Sequence, residues 1–253
     1  MRILLSNDDG YHAPGLKVLE DIANALSDDV WIVAPAEEQS GASHSLTLSR
    51  PLRIRQHGEK RFSVSGTPTD AVAIAVGKIM KDSPPDIILS GVDRGANITE
   101  GVTYSGTVAA AMEGAISGVR SIALSQVYSR EGRGGAVPFD AAAAWGERVI
   151  RTLLSLPARK NMLVNVNFPA IAPDAVKGVR VVRQGFHDVD RTSIVEGTDP
   201  RGYKYYWFGL GMSDSVPEGT DLEAISQGYV TVTPLHYDLT HEGSMAVFAE
   251  AFR

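Results

Sequence analysis

The apolar residues of this chain come in short blocks separated by polar turns. Residues Arg2–Ser6 carry Ile3-Leu4-Leu5 and run into Asn7-Asp8-Asp9-Gly10, a turn signal. Pro14 then stands where a helix can begin, and Leu16, Leu19, Ala23 and Leu26 follow at helical spacing. Residues 30–34 form a second apolar run closed by Pro35. Residues 70–80, rich in small and β-branched apolar residues, read as a buried helix or a strand, and Asp70 directly after Thr67-Pro68-Thr69 favours a helix starting there. Residues 86–89 read as a buried strand after the Pro84-Pro85 break. Val108, Ala111, Met112, Ala115 and Val119 make a helical stripe, and residues 121–124 make another strand. Residues 139–156 predict a helix with Trp145, Val149, Leu153 and Leu156 on its core face, and residues 161–167 one more strand.

Apolar runs without polar alternation, separated by helices, belong to a mostly parallel sheet covered on both faces. The fold class is therefore α/β, a Rossmann-like doubly wound sheet. After Pro173 the texture changes. Blocks at 179–182, 203–208 and 230–233, broken by Gly, Asp and Pro, read as an extended or β-hairpin appendage. The chain, 1–253, is read as one domain, with a core of about 1–173 and a C-terminal segment of about 174–253. Residues 131–135 (Glu-Gly-Arg-Gly-Gly) read as a surface loop.

Composition removes whole classes of chemistry. The 253 residues include no cysteine, which excludes disulfides, thiolate metal sites, iron–sulfur clusters and a cysteine nucleophile. The formal charge, 24 − 30 = −6, and a pI near 5.5 argue against a nucleic-acid partner. No targeting segment and no apolar run of membrane-span length is evident, so a cytoplasmic location without membrane association is expected. Glycine, at 25 of 253, is mildly enriched against a usual ~7%.

In an open α/β sheet, ligands bind beyond the carboxyl ends of the strands. The first such end carries Asp8 and Asp9. Two close carboxylates repel unless a proton or cation lies between them, and a hard divalent ion suits an all-oxygen site. Asn-Asp-Asp-Gly is also normal turn composition, and the motif alone leaves both readings open. The second end, residues 34–44, brings Glu37, Glu38, Ser40, Gly41, Ser43 and His44 to the same edge. Taken alone, it is a polar loop. The third end, residues 90–107, holds Gly91, Gly95, Gly101 and Gly106 before a helix. Ser105, Gly106 and Thr107 would lie at that helix's N-terminus, where free N–H groups attract phosphate. A cap alone needs one such residue and no long glycine loop before it. The spacing fits neither a P-loop nor a dinucleotide fingerprint.

These motifs together resemble the SurE survival-protein family. The resemblance rests on residues 3–11 with Ala13-Pro14-Gly15, on Val33-Ala34-Pro35 with Gln39-Ser40-Gly41, and on Gly66-Thr67-Pro68-Thr69-Asp70. It continues through Ser90-Gly91 to Asn97, Tyr104-Ser105-Gly106-Thr107-Val108, Thr220-Asp221, Gly228-Tyr229-Val230 to Thr233-Pro234-Leu235, and Asp238-Leu239-Thr240. It implies a metal-dependent phosphatase acting on nucleoside 5′- and 3′-monophosphates, with some members also trimming polyphosphate. It implies one Mg²⁺ or Mn²⁺ per subunit, held by Asp8, Asp9, Ser40 and Asn97. Asp8 and Asp9 would be the catalytic pair, and Asn97, Ser105, Gly106, Thr107, Gly41 and Ser43 would meet substrate. It also implies a homodimer or homotetramer with the C-terminal segment exchanged between subunits. Asp93 stands where the family usually has Asn, and Gly101 where an acid is common.

Two rivals are weaker. Haloacid-dehalogenase phosphatases separate their two Asp by one residue, and here they are adjacent. A phospho-receiver domain is roughly half this length and needs a well-placed lysine, and none is identified. His12 and His44 fall in loops near the proposed site, and His236 and His241 flank Asp238-Leu239-Thr240. Packing or surface roles suit all four.

Overall fold

The computed structural model describes residues 1–128, 138–186, 194–208 and 216–253, and the loop expected at 131–135 lies outside them. In chain order the strands are β1 (Arg2–Ser6), β2 (Asp29–Pro35), β3 (Ile54–Gly58), β4 (Arg61–Val64), β5 (Ile87–Arg94), β6 (Arg120–Gln126), β7 (Met162–Phe168), β8 (Val179–Val181), β9 (Ile194–Thr198), β10 (Lys204–Phe208) and β11 (Val230–His236). The helices are α1 (Pro14–Leu26), α2 (Pro68–Ile74), α3 (Gly106–Ile116), α4 (Asp140–Ser155), α5 (Asp221–Ser226) and α6 (Glu242–Ala251).

Among the described residues nine strands share one sheet, in the order β3-β4-β2-β1-β5-β6-β7-β11-β8. The run from β4 to β7 is parallel, while β3 and β11 are antiparallel to β4 and β7. The two faces bury different residues of the same strands, as a period of two requires. Ile3, Leu5, Ile87 and Leu89 pack with Leu16, Leu19, Val149 and Ile150 of α1 and α4. Leu4, Val33 and Ile88 pack on the other face with Ala71 and Val72 of α2 and Ala110 of α3. The sheet is covered on both sides, as the unbroken apolar runs predict.

Several boundaries move. Helix α2 starts at Pro68, because Thr67 caps it: the Thr67 hydroxyl accepts from Asp70 N while the Asp70 carboxylate accepts from Thr67 N. A single π turn, Ala75–Ile79, continues it. Strand β5 runs on to Arg94, five residues past the expected end, because β6 pairs Asp93 with Ser125 and Arg94 with Gln126. On α4, Ile150 is buried where Leu156, just past the helix, is exposed. Strands β11 and β8 join the main sheet at its far edge. Among the described residues the β9–β10 hairpin pairs only with itself, with Trp207 and Phe208 exposed. Among the described residues no helix is long and apolar enough to cross a membrane.

Candidate active site

Strand β1 lies between β2 and β5, so the chain leaves it in one direction and later returns on its other side. Loops diverge at such a point and leave a crevice at the carboxyl ends. Asp8 and Asp9 follow β1, the loop with Ser40 follows β2, and Asp93 closes β5.

The chain is drawn tight here. Asn7 Nδ2 donates to Gly10 O at 2.9 Å and closes the first turn. Gln39 N donates to Asp8 O at 2.7 Å, and Tyr11 N donates to Pro35 O at 2.7 Å, so the second loop lies against the first. Asp8 is buried, and its Oδ1 accepts from the Thr107 hydroxyl at the start of α3. Gly106 is required at this contact: a Cβ there would stand 2.6 Å from Asp8 Cβ. Ser105 caps α3, its hydroxyl accepting from Val108 N at 3.0 Å. Asp9 is partly exposed, and its Oδ2 accepts from Arg94 N at 3.1 Å.

Asp93 joins these two carboxyls. Its Oδ2 accepts from Asn97 Nδ2 at 2.8 Å, and the same Nδ2 donates to Ser125 Oγ at 2.8 Å. Both amide hydrogens of Asn97 are thereby engaged, and its Oδ1 is the atom left to face a ligand. Burial pushes the Asp8 carboxyl up to about 6, with the Thr107 hydrogen bond opposing and the Asp9 charge adding to the rise. Burial also raises Asp9, against the pull of the Arg94 N–H and charge. Asp93 is held well above the carboxylate range by burial and then by the charges of Asp8 and Asp9. Asp9 is raised further by the Glu38 charge and lowered by a hydrogen bond with Asp93, so three buried or half-buried carboxyls gather with little positive charge to balance them, and their oxygen-only chemistry fits a hard divalent cation. Among the described residues no group of three or more His, Asp or Glu side chains is arranged to hold an ion on its own. A cation here would also draw on the neutral oxygens of Ser40 and Asn97.

The other expected residues lie on the loop that follows β2. Ser40 is exposed, and its hydroxyl donates to Glu38 Oε1 at 3.0 Å. Gly41 adopts φ +78° with open space around it. The Ser43 hydroxyl donates to Thr103 O at 2.7 Å and its N–H to Tyr104 O at 3.2 Å, which binds the second loop to the third. His44 pairs with Glu113 of α3 at 3.0 Å. The glycines divide by role. Gly91 lets β5 pass Leu124, whose carbonyl oxygen would lie 2.1 Å from an added Cβ, while Gly101 has open space.

A set of supporting residues escapes sequence reading. Asn97 N donates to Asn167 Oδ1 at 2.8 Å, and Asn97 O accepts from Asn165 Nδ2 at 2.6 Å and Asn167 Nδ2 at 3.1 Å. The turn Thr99–Thr103 is held by Asp221, which accepts from Thr99 N at 2.9 Å, and by Gln184 Nε2, which donates to Thr99 O at 2.8 Å. The one available signal was Asn165 and Asn167 at alternate positions of an otherwise apolar strand, facing one side.

Beside the carboxyls, past Tyr11 and Glu37, a groove of about 460 Å³ opens between the first two loops and strands β3 and β4.

Comparisons with known proteins show what the chain is similar to. The family model described as "Survival protein SurE" matches residues 3–191. A protein of Rhizorhabdus wittichii named 5′-nucleotidase SurE is 60% identical over 254 residues, covering all of both chains. One of the same name from Erythrobacter litoralis is 57% identical, again over the whole of both. The crystal structure of the SurE protein from Aquifex aeolicus superposes with a TM-score of 0.86 at 35% identity, covering 100% of each chain. With the strand-end carboxylates, the capped helix and the match running the length of the sheet, the chain belongs to the SurE survival-protein family.

Proposed function

We propose that the protein is a 5′-nucleotidase, a phosphatase that hydrolyses nucleoside 5′-monophosphates, and 3′-monophosphates as well, to nucleoside and phosphate. The observation that carries this reading is the docking of the α3 N-terminus on Asp8, which sets the positive end of the helix dipole beside a carboxylate pair. The names of the full-length relatives support it.

Asp8 and Asp9, with Ser40 and Asn97, would hold one divalent ion, Mg²⁺ or Mn²⁺, and Asp93 adds a third carboxylate to the set. When bound, such an ion neutralises the carboxylates and draws charge from the phosphoryl oxygens. The protein's own groups do the rest. The Gly106 N–H and the positive end of the α3 dipole face the remaining phosphoryl oxygens as charge builds on them. Thr107 fixes the Asp8 carboxylate by its hydroxyl. Asp9 has one oxygen held by Arg94 N, and its other oxygen takes the proton of the attacking water as that water bonds to phosphorus; the phosphorus–oxygen bond to the nucleoside breaks, and the nucleoside oxygen leaves with a proton from solvent. Asn97 orients Asp93 through Nδ2. Trimming of polyphosphate uses the same groups on a longer anion. The working form is a homo-oligomer, dimer or tetramer, supported by the exposed aromatic side chains of β10 and the apolar residues of α6.

Phosphate release from a panel of 5′- and 3′-mononucleotides, with Mg²⁺ or Mn²⁺, tests the reading. Asp8→Asn and Asp9→Asn are each expected to lower turnover by at least about a hundredfold, the scale of a lost general base or charge stabiliser, with folding intact. Unchanged turnover in both would refute the site, and no turnover on any mononucleotide would refute the activity.

A further inference from the structure

Thr99 holds a backbone conformation that its side chain opposes. Its φ is +53°, in the left-handed region, where a β-branched residue is an outlier. It is also buried. Strain of this kind persists only where the surroundings over-determine the backbone. At Thr99 they do so from both sides of the residue. Its N–H donates to Asp221 Oδ2 at 2.9 Å, and its carbonyl oxygen accepts from Gln184 Nε2 at 2.8 Å. Both partners come from the chain beyond β7.

Asp221 does more than open α5. It is fully buried, and its other oxygen, Oδ1, accepts from Gly185 N at 2.9 Å and from Leu222 N at 2.8 Å. Gly185 permits this approach, since an added Cβ would stand 3.0 Å from Asp221 Oδ1. Taking a carboxylate out of water is costly unless new hydrogen bonds replace those of the solvent. An acid in the first turn of a helix is favoured by the dipole, and the bond to Leu222 N suffices for that. It does not explain an oxygen aimed 122 residues back, at the amide of a strained residue. The turn that Thr99 begins joins several parts of the site. Asn97 precedes it, and Ser105, the cap of α3, follows it. Within it and just beyond, Thr103 O and Tyr104 O accept from the hydroxyl and N–H of Ser43, so the loop of Ser40 and Gly41 rests on the same turn.

We propose that Asp221 is a positioning residue of this site: by holding Thr99 together with Gln184, it sets the turn on which the Ser40 loop and the start of α3 rest. It touches neither substrate nor the reacting atoms. Its effect on turnover rests on the nucleotidase reading, whereas its hold on the two loops does not.

Hydrogen exchange of the full chain, read by mass spectrometry in chelator and without nucleotide, tests the hold directly. Asp221→Asn keeps one acceptor oxygen and turns the other into a donor that faces an N–H. Peptides covering residues 99–105 and 39–45 are expected to exchange about tenfold faster in this variant, the scale of one lost hydrogen bond, while those of β1 and α1 stay as in wild type. With Mn²⁺, kcat on AMP is expected to fall by about ten- to a hundredfold, the scale of a misplaced catalytic group. Adding Thr99→Gly to Asp221→Asn relieves the left-handed strain and is expected to raise kcat again by about fivefold. A merely structural role would lower the melting temperature and move neither readout in the folded protein. Unchanged exchange at 39–45, unchanged kcat in folded Asp221→Asn, or no recovery with Thr99→Gly overturns the role. If Asp221→Asn melts below the assay temperature, Gln184→Met, which removes the second tie on Thr99, is expected to show the same pattern and carries the test. If wild type turns over no mononucleotide, the nucleotidase reading fails, and exchange at 39–45 alone decides whether Asp221 holds the site.

Discussion

Asp8 shows how much a single side chain can be asked to carry. It is buried, it receives Thr107, it excludes any side chain at position 106, and its neighbours Asp9 and Asp93 share its sign. With the folded carboxyl at about 6 and the usual value at 3.8, Asp8 favours folding most when protonated. That contribution is complete below the usual value and is lost as pH rises through about 6. In chelator, the melting temperature should therefore carry a component that falls between about pH 4 and pH 6. Asp8→Asn should remove it, and saturating Mn²⁺ should oppose it above pH 6. A metal-free melting curve with the same slope in wild type and Asp8→Asn would count against this account. At this scale the sequence was informative for Asp8 and Asp9, since strand-end position and like charge are local properties. For Asn165 and Asn167 it offered their alternation on an apolar strand and nothing of their partner, because a bond from Asn167 to Asn97 spans 70 residues and leaves no local mark.

Among the elements, β7 does more than fill the sheet. Its outward alternation of Asn165 and Asn167, both fully buried, clamps the peptide of Asn97, N–H and C=O together. Asn167→Leu leaves Asn97 N–H buried without its acceptor, at a cost of about 1–3 kcal/mol. The measurable outcome is a lower denaturation midpoint together with weaker Mn²⁺ binding. A variant that loses stability and keeps full metal affinity would show that the clamp serves packing alone. Element reading from the sequence succeeded where packing and local chemistry agree, as in β1, α1 and α3. It shortened β5 because Gly91 and the polar residues after it have loop texture, while pairing with β6 extends the strand to Arg94. It put Leu156 on the face of α4 because helical spacing cannot register that the chain turns extended at that residue.

For the whole molecule, the sheet centre and its periphery differ in kind. The centre is apolar on both faces and carries the candidate site. The periphery exposes Trp207 and Phe208 on the hairpin and Phe248 and Phe252 near the C-terminus. An aromatic surface of this extent is what an oligomer covers. Replacing Tyr206, Trp207 and Phe208 by Ser should shift the sedimentation profile toward monomer, and an unchanged profile would remove the hairpin from the interface.

The clamp on Asn97 has a consequence for how the protein comes into being. Asp8, Asp9, Asp93, Asn97 and Thr107 all lie in the first 107 residues, whereas their brace is at Asn165 and Asn167 and a further tie is at Asp221. During synthesis the reactive groups emerge well before the parts that hold them still. A nascent chain halted between α3 and β7 would carry the full set of carboxylates around an untethered loop, so order at the centre arrives with the last third of the polypeptide.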